Sequence, residues 1–268
     1  MNIKGSPAFR KASTPGLRSD GPASAVDCMR LDQEMLEGRA GNRVIGRIYE
    51  WDGPAVSLGR SNDASRLDAG ILAASGVAVV RRPTGGAALI HGTDLCYSVA
   101  YPRRQLAGRR AGLMETGRLL ASPVLQGLRS LGIDARFRAP VGAPVRGGEE
   151  LELCFLQKSF LDIMVGDRKV AAFAQRATST IFFQHGSVLM EPVPDDLVAT
   201  LTRAGLGSRD EWKAVRRETA SVGGPGKPGR EEVRRAILEA ARLSAVLTED
   251  EVNPARQRGT GLSLGGDA

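Results

Sequence analysis

The alternation of hydrophobic and polar residues predicts both helices and strands along this chain. Ser24, followed by Asp27, is typical of a capping box and predicts a helix that ends at Gly38. In RVIGRIYEWDGPAVSLGRSN (residues 43–62), apolar and polar residues alternate on both sides of an Asp-Gly turn at 52–53. This pattern predicts two strands that pair with each other.

Further along the chain, the same reasoning predicts a strand, a helix and a hairpin. The β-branched run VAVVRRP (77–83) predicts a short strand that its proline ends. Apolar residues at helical spacing mark a helix face at Leu120, Val124, Leu128 and Leu131. Pro123 predicts a start or a kink in that helix. FLDIMV and RKVAAFAQR flank a Gly-Asp turn and predict a hairpin (160–176), and STIFFQHGSVLM (179–190) predicts a further strand.

In the C-terminal part of the chain, apolar residues recur at the spacing of a helix. PDDLVATL (194–201) and EEVRRAILEAARLSAVL (231–247) predict two helices, joined by a flexible loop that contains GGPGKPG (223–229). APVGAPVRGGE (139–149) predicts another Gly/Pro loop. Because hairpins are mixed with helices instead of alternating strictly with them, we predict an α+β domain, a largely antiparallel sheet flanked by helices.

Length and composition fit one large domain with two flexible ends. A chain of 268 residues that is 42% hydrophobic can bury a sizeable core. Residues 1–22 and 253–268 are rich in Gly, Pro, Ser and charge, so we expect them to be flexible and residues 23–252 to fold. No run of 18 apolar residues and no apolar signal-peptide region occurs, so we expect a cytoplasmic protein without a membrane partner.

Cysteine content and charge exclude several classes of function. The three cysteines are too few for a disulfide framework and lie in no CxxC or His-rich spacing, so we expect no metal site. The net charge of +7 comes mostly from arginines spread along the chain, and only 4% of residues are aromatic. We therefore expect no nucleic-acid binding, and the charge favours an acidic protein partner or an anionic substrate.

RRPTGGAALIHGTDLCYS (81–98) combines features of a ligand-binding site. Two arginines end the predicted strand beside two glycines, which lack a Cβ and let a ligand approach the backbone. From these residues alone, a plain turn and a solvated strand end remain alternatives. His91 remains either a structural histidine or an acid–base group.

This stretch resembles the signature RR-x-TGG-x-AV-x-H-x-x-x-L-x-YS of the lipoate-protein ligase and octanoyltransferase family. RIYEWDGPAVSLGRSN (47–62), GDRKVAAFAQR (166–176) and QHGSVLM (184–190) are similar to other segments of that family, in the same order. The resemblance spans residues 24–245. It implies the fold shared with biotin ligases and class II aminoacyl-tRNA synthetases, with residues 23–252 as the catalytic domain.

A cysteine motif points to one subgroup of the family. CFLQKSFLD (154–162) resembles CF-x-x-x-S-x-[DE] of the enzymes that move octanoyl groups from acyl carrier protein, and Lys169 follows at the matching distance. The resemblance implies that Cys154 and Lys169 are catalytic and that no cofactor is needed. A nearby ammonium favours the thiolate, so we expect Lys169 to activate Cys154.

The resemblance also implies the course of the reaction and its binding residues. The octanoyl thioester would pass to Cys154 and then to a lysine of a lipoyl-domain protein, such as the glycine cleavage H protein or a 2-oxoacid dehydrogenase E2 subunit. The expected substrate-binding residues, which would shape an acyl pocket, are Arg81, Arg82, Thr84, Gly85, Gly86, Ala87, His91 and Ala172. The chain departs from the family pattern at Ala87 and Gly92, where Arg and Asp are common, and at Ala172 and Phe173, where Gly and Ser are common.

Two other functions fit the same residues. In a lipoate-protein ligase, ATP and magnesium would convert free lipoate or octanoate to an acyl adenylate, and Cys154 would be incidental. A non-catalytic binder of lipoyl domains or acyl groups is the second alternative. The presence of both Cys154 and Lys169 favours the transferase. We expect Cys28 and Cys96 to be core residues and His185 to make a structural hydrogen bond near the pocket.

Overall fold

The structure of the protein is a computed structural model that describes residues 16–38, 41–106, 112–139 and 152–244. In these ranges the strands are β1 (Gly16–Ala23), β2 (Ile45–Trp51), β3 (Ala55–Leu58), β4 (Ala78–Arg81), β5 (Leu89–His91), β6 (Asp94–Pro102), β7 (Ala135–Phe137), β8 (Ile163–Val165), β9 (Arg168–Ala177) and β10 (Ile181–Leu189). The α-helices there are α1 (Ala25–Leu36), α2 (Ala69–Ala74), α3 (Leu113–Ser130), α4 (Asp195–Arg203), α5 (Arg209–Glu218) and α6 (Arg230–Leu243).

The described strands form two sheets. The larger has the order β1-β2-β6-β10-β9-β8-β7, and its neighbouring strands are antiparallel except for the parallel pair β1 and β2. The smaller has the order β4-β3-β5, with β3 parallel to β4 and antiparallel to β5. This arrangement confirms the prediction of an α+β domain with a largely antiparallel sheet flanked by helices.

The two strands predicted within residues 43–62 both form, but the prediction that they pair with each other is wrong. β2 lies between β1 and β6 in the larger sheet, whereas β3 lies between β4 and β5 in the smaller one. Both strands are buried almost throughout, so each needs hydrogen-bonding neighbours on both sides. The turn at 52–53 therefore carries the chain from one sheet to the other.

The start of the folded region lies earlier than the sequence predicted. Residues 16–22, assigned above to a flexible arm, belong to β1, which extends the larger sheet beside β2. β1 is a polar strand that periodicity does not mark, and a helix holds it in place: Arg234 of α6 donates to the Ser19 hydroxyl at 3.0 Å and to the Asp20 carbonyl at 2.9 Å. Residues 1–15 and 253–268 lie outside the described ranges, as do residues 140–149 of the predicted Gly/Pro loop.

Helix α3 confirms the predicted apolar face but passes through Pro123 without starting there. A proline has no N–H to donate to the carbonyl four residues earlier. The Ser122 hydroxyl supplies that donor instead and bonds to the Leu119 carbonyl at 2.7 Å. The Leu119 carbonyl therefore has a hydrogen-bond donor, and the helix continues through the proline.

Helix α5 was not predicted from the sequence, where a single loop was expected to join the two C-terminal helices. Its N-terminus carries a capping box in which Ser208 accepts from the Glu211 amide at 3.2 Å and Glu211 accepts from the Ser208 amide at 2.7 Å. The S-x-x-E pattern at residues 208–211 could therefore have predicted the start of this helix. Helix α1, capped by Ser24, and the hairpin of β8 and β9 are confirmed. Within the described ranges, no helix has the length and apolar content needed to cross a membrane.

Candidate functional site

A cavity lies where the two sheets meet the turn that carries Cys154. Four residues predicted for the site line it: Arg82, His91, Cys154 and Ala172. Apolar side chains that include Met29, Leu89 and Phe173 complete much of the wall. An apolar cavity with a thiol and few polar groups suits an acyl chain attached to a thioester.

The backbone of Ala88 positions Cys154. The Ala88 amide donates to the Glu152 carbonyl at 2.9 Å, and the Cys154 amide donates to the Ala88 carbonyl at 2.8 Å. Ala88 and Leu153 thus form a parallel bridge between segments that are far apart in the sequence. The TGGAA segment and the cysteine motif therefore form one structural unit, with the half-buried thiol at the cavity wall.

Lys169 is buried beneath the turn of Cys154 and contacts its main chain. Its ammonium donates to the Cys154 carbonyl at 3.1 Å and to the Gln157 carbonyl, and it forms an ion pair with Asp162 at 3.2 Å. These three acceptors match the three donors of an ammonium group. In the described structure, Lys169 therefore holds the nucleophile's turn. Its expected effect on the ionisation of the thiol stays a prediction.

Asp162, the last residue of the cysteine motif, bonds to the turn and to two basic side chains. It accepts from the Ser159 amide at 3.0 Å and from Arg138 at 3.1 Å, in addition to its ion pair with Lys169. The Ser159 hydroxyl in turn accepts from the Leu161 amide at 3.2 Å. The serine and the aspartate in CFLQKSFLD therefore shape the turn that presents the cysteine.

Arg82 is buried and ties the glycine loop to strand β3. It donates to the Ser57 carbonyl at 2.8 Å, to the Gly85 carbonyl at 2.9 Å and to the Ala87 carbonyl at 2.6 Å. Burial lowers the pKa of Arg82, while the charge of the nearby Cys154 thiolate form acts in the opposite direction. Arg82 is thus a buried cation on the same cavity wall as Cys154.

The other predicted residues of the glycine loop have different surroundings. Gly86 has φ +97°, and a Cβ there would lie 2.9 Å from Nη2 of Arg82. Gly85 is half-buried and has open space where a Cβ would lie. Ala87 is buried and contributes the carbonyl that Arg82 holds. These three residues shape the loop through their backbone.

Arg81 points away from the cavity. Its Nη1 atom donates to the carbonyls of Gly59, Arg60 and Asn62 at 2.8–2.9 Å. It is absent from the described residues that line the cavity. Arg81 therefore holds the loop 59–62, and a direct contact with substrate stays a prediction.

His91 lies between a carboxylate and a hydroxyl. Its Nδ1 is 2.8 Å from Oδ2 of Asp94, its Nε2 is 2.8 Å from Oγ of Ser57, and its ring stacks on Trp51 with centroids 4.0 Å apart. Burial raises the pKa of Asp94, but His91 and hydrogen bonds from Ser187 and other donors outweigh burial and hold the pKa below its ordinary value. Asp94 is therefore a carboxylate that orients His91, and it also accepts from the Gly92 amide in the local turn at 3.2 Å.

His185 forms a second buried chain that the sequence did not reveal. Its Nδ1 is 2.8 Å from Oδ2 of Asp32, and its Nε2 is 2.7 Å from the Thr84 hydroxyl. Asp32 also pairs with Arg47 at 2.7 Å. Burial raises the pKa of Asp32, but the charge of Arg47 and the His185 bond outweigh burial and hold the pKa at about 2. Burial lowers the pKa of His185, which is therefore neutral at pH 7.

The donor set of His91, Asp94 and Cys96 is compact and internally hydrogen-bonded. Their ligand atoms lie within 4.8 Å of one another in the described structure. The Cys96 thiol donates to Asp94 at 3.2 Å, and burial raises the pKa of Cys96 well above its ordinary value. The expected absence of a metal site stays a prediction.

The departures from the family pattern have structural consequences. Gly92 has φ +111°, and a Cβ there would lie 3.2 Å from the Pro54 backbone, so an aspartate in this backbone conformation would be strained. Phe173 lines the cavity opposite Gly186, where an added Cβ would lie 2.3 Å from the Phe173 ring. Ala172 lines the cavity beside it. The substitutions at 172 and 173 therefore bear on the shape of the cavity.

Comparison with known families settles the class of the domain. The model of the lipoyl protein ligase A/B catalytic domain matches residues 24–242. The chain belongs to this family. An octanoyltransferase LipM from Kyrpidia tusciae is 31% identical over 260 residues, which cover 91% of this chain and 92% of that protein.

Solved structures of the family share the fold of this chain. A lipoate-protein ligase A bound with ATP superposes with a TM-score of 0.62 at 22% identity and covers 84% of this chain and 83% of that one. A bi-partite lipoate protein ligase from Thermoplasma acidophilum gives a TM-score of 0.62 at 22% identity and covers 84% of this chain and 81% of that one. The predicted family and fold are thereby confirmed.

Proposed function

We propose that this chain is a protein N-octanoyltransferase that works in the cytoplasm without a cofactor. It takes an octanoyl group from acyl carrier protein onto Cys154 and passes it to a lysine of a lipoyl-domain protein. The observation that carries the proposal is the position of Cys154, whose thiol lines a mainly apolar cavity while its backbone is held by Ala88 and Lys169. The relative named octanoyltransferase LipM supports the same reaction.

The first step exchanges one thioester for another. The Cys154 thiolate attacks the octanoyl carbonyl, the new C–S bond forms, and the carrier's thiol leaves with the electron pair of the old bond. The bonds broken and formed are alike, so the step is nearly balanced in energy. The apolar wall with Leu89, Ala172 and Phe173 receives the hydrocarbon chain.

The second step gives an amide. The amine of the acceptor lysine attacks the carbonyl of octanoyl-Cys154, the C–N bond forms, and the Cys154 sulfur leaves. The amide is more stable than the thioester, so this step drives the sequence forward. The positive net charge of the chain favours approach of an acidic carrier protein.

The test is the intact mass of the protein after mixing with octanoyl acyl carrier protein in the absence of ATP. We expect a hydroxylamine-labile octanoyl adduct on the unmodified protein and on a Cys28→Ala variant, which lacks a buried cysteine of the core. Cys154→Ala should carry no adduct. An adduct on Cys154→Ala would overturn the role of the thiol.

The same samples separate the alternatives. If no adduct forms, but lipoate with ATP and magnesium modifies a lipoyl domain equally well with Cys154→Ala, the chain is a ligase. If neither reaction occurs and the chain binds a lipoyl domain or an acyl group, it is a binder. Either result would contradict the proposed transferase.

A further inference from the structure

We propose that Ser57, His91 and Asp94 form a proton relay that serves the attack of the acceptor amine on octanoyl-Cys154. The inference rests on the proposed function and adds the base for its second step. Ser57 and His91 line the same cavity as Cys154. Asp94 is a positioning residue, because it acts on the reaction through His91.

The relay has a defined direction. Asp94 is a carboxylate, so the His91 nitrogen that faces it at 2.8 Å, Nδ1, carries the proton and donates it. The other nitrogen, Nε2, is then an acceptor and lies 2.8 Å from the Ser57 oxygen. Ser57 therefore donates its proton to His91. Its oxygen also accepts from Nη1 of Arg82 at 3.4 Å and keeps a second acceptor position for a proton from a group in the cavity.

Tertiary packing fixes this geometry. Ser57 lies on β3 and His91 on β5, and these strands are paired, with Leu89 opposite Ser57 and Ala55 opposite His91. Trp51 stacks on the His91 ring at 4.0 Å. The ring therefore has little freedom to turn away from its two partners.

Several charged and titratable groups surround His91. Asp94 faces Nδ1, and the Cys96 sulfur lies 3.6 Å from the same nitrogen. The other titratable groups on the cavity wall that His91 shares are Tyr49, Arg82, Cys154 and His185. Of these described groups, the Asp94 carboxylate is the direct partner of the ring.

The second histidine of the cavity is less suited to this task. Its Nε2 faces the hydroxyl of Thr84, which is absent from the described residues that line the cavity. A proton accepted by His185 would therefore have no hydroxyl that connects it to the acyl site. The two chains are alike in composition, but among the described residues only the chain through Ser57 ends in a hydroxyl on the cavity wall.

The proposed step balances in atoms and electrons. The neutral lysine amine forms a C–N bond to the thioester carbonyl, and the nitrogen loses one proton to the Ser57 oxygen as Ser57 passes its own proton to His91. The C–S bond breaks, and its electron pair stays on the Cys154 sulfur. The proton on His91 returns through Ser57 to the sulfur, which leaves a thiol, an amide and the relay in its starting state.

The experiment separates loading from transfer in a single turnover. The full-length protein and the variants Ser57→Ala, His91→Gln and Asp94→Asn are loaded with octanoyl acyl carrier protein, and a lipoyl domain is then added between about pH 5 and pH 8, the range in which histidines change charge. Intact mass follows both the adduct and the modified domain. Ser98→Ala, a buried serine on β6, is the matched control.

We expect His91→Gln and Asp94→Asn to load at close to the normal rate and to transfer about 100-fold more slowly, the usual scale of general base catalysis. Ser57→Ala should lose at least about tenfold in transfer. The variants should also lose the break in the pH profile that a titrating base produces. Hydroxylamine should take the acyl group from all of them as octanoyl hydroxamate at the normal rate, because hydroxylamine is already neutral at pH 7 and needs no base.

Other outcomes overturn the relay in distinguishable ways. Transfer at the normal rate by the loaded variants, with the break retained, would show that the relay takes no part. Equal slowing of loading and transfer would show that these residues only support the cavity. No adduct on the unmodified protein would instead contradict the proposed function, and with it the step that the relay serves.

Discussion

The amide of Cys154 donates a hydrogen bond to the carbonyl of Ala88 at 2.8 Å. This bond joins the glycine-rich signature to the nucleophile motif, so the geometry of one determines the position of the other. It also explains why residues that never touch the thiol belong to the site. Gly86, Ala87 and Arg82 set the path of the backbone that carries Ala88.

Gly86→Ala should destabilise the protein by about 1–3 kcal/mol, because alanine would take a left-handed backbone conformation and its Cβ would crowd Arg82. Loading of Cys154 should slow as well, since the loop positions Ala88. Urea denaturation and the rate of adduct formation measure the two effects. Gly85→Ala is the matched control for stability, because open space surrounds that position. Equal free energies of unfolding for the two variants would contradict the argument.

Lys169→Met should cost about 3–5 kcal/mol of stability, because it leaves the buried Asp162 carboxylate without its ammonium partner. The carbonyls of Cys154 and Gln157 lose their donor at the same time. Addition of Asp162→Asn to this variant should recover part of the loss, because it removes a buried charge whose remaining ion-pair partner in the described structure is the half-buried Arg138. Urea denaturation of the two single variants and the double variant tests this coupling. Strict additivity of the two changes would contradict it.

Arg82→Gln should slow the loading of Cys154 by about tenfold or more. The change removes charge-assisted hydrogen bonds of about 1.5–3 kcal/mol each to the loop carbonyls, together with a cation near the thiol. Arg81→Gln should slow loading less, because Arg81 bonds to the loop 59–62 outside the cavity. Time courses of adduct formation compare the two. A larger effect at Arg81 would place the substrate's polar group at that residue instead.

Ala172→Leu should shift the enzyme toward shorter acyl chains. The added side chain would occupy part of the cavity that receives the octanoyl group, and such changes in an apolar pocket are worth about 1–3 kcal/mol. We expect octanoyl loading to fall by about tenfold relative to butanoyl loading. Competition between the two acyl carrier thioesters, read by intact mass, gives the ratio directly. An unchanged ratio would mean that the chain lies along another wall.

The pH dependence of stability should report the ion pair of Asp32 and Arg47. The pKa of Asp32 is depressed in the folded state to about 2 from an ordinary value of 3.8, so this contribution is complete above about pH 4. It is lost as the pH falls toward 2 and amounts to about 2 kcal/mol. Unfolding free energies measured between pH 4 and pH 2 should fall less steeply in Asp32→Asn. Parallel curves for the two proteins would contradict the assignment.

Local sequence patterns predicted the elements whose structure depends mainly on residues nearby in the chain. The Ser24 cap of α1, the hairpin of β8 and β9 and the apolar face of α3 depend on residues a few positions apart. The polar strand β1 carries no such pattern, because its place is determined by β2 and by Arg234.

The sequence by itself determined the family and the fold class and predicted Cys154 as the nucleophile, since motif order and spacing are properties of the chain. Only the tertiary structure decided which side chains share the cavity. Arg81 and Arg82 are neighbours at the end of one strand, yet they point in different directions because successive side chains alternate across a strand. The buried chains of Asp32 with His185 and of Asp94 with His91 and Ser57 likewise depend on strands and helices that meet only when the domain folds.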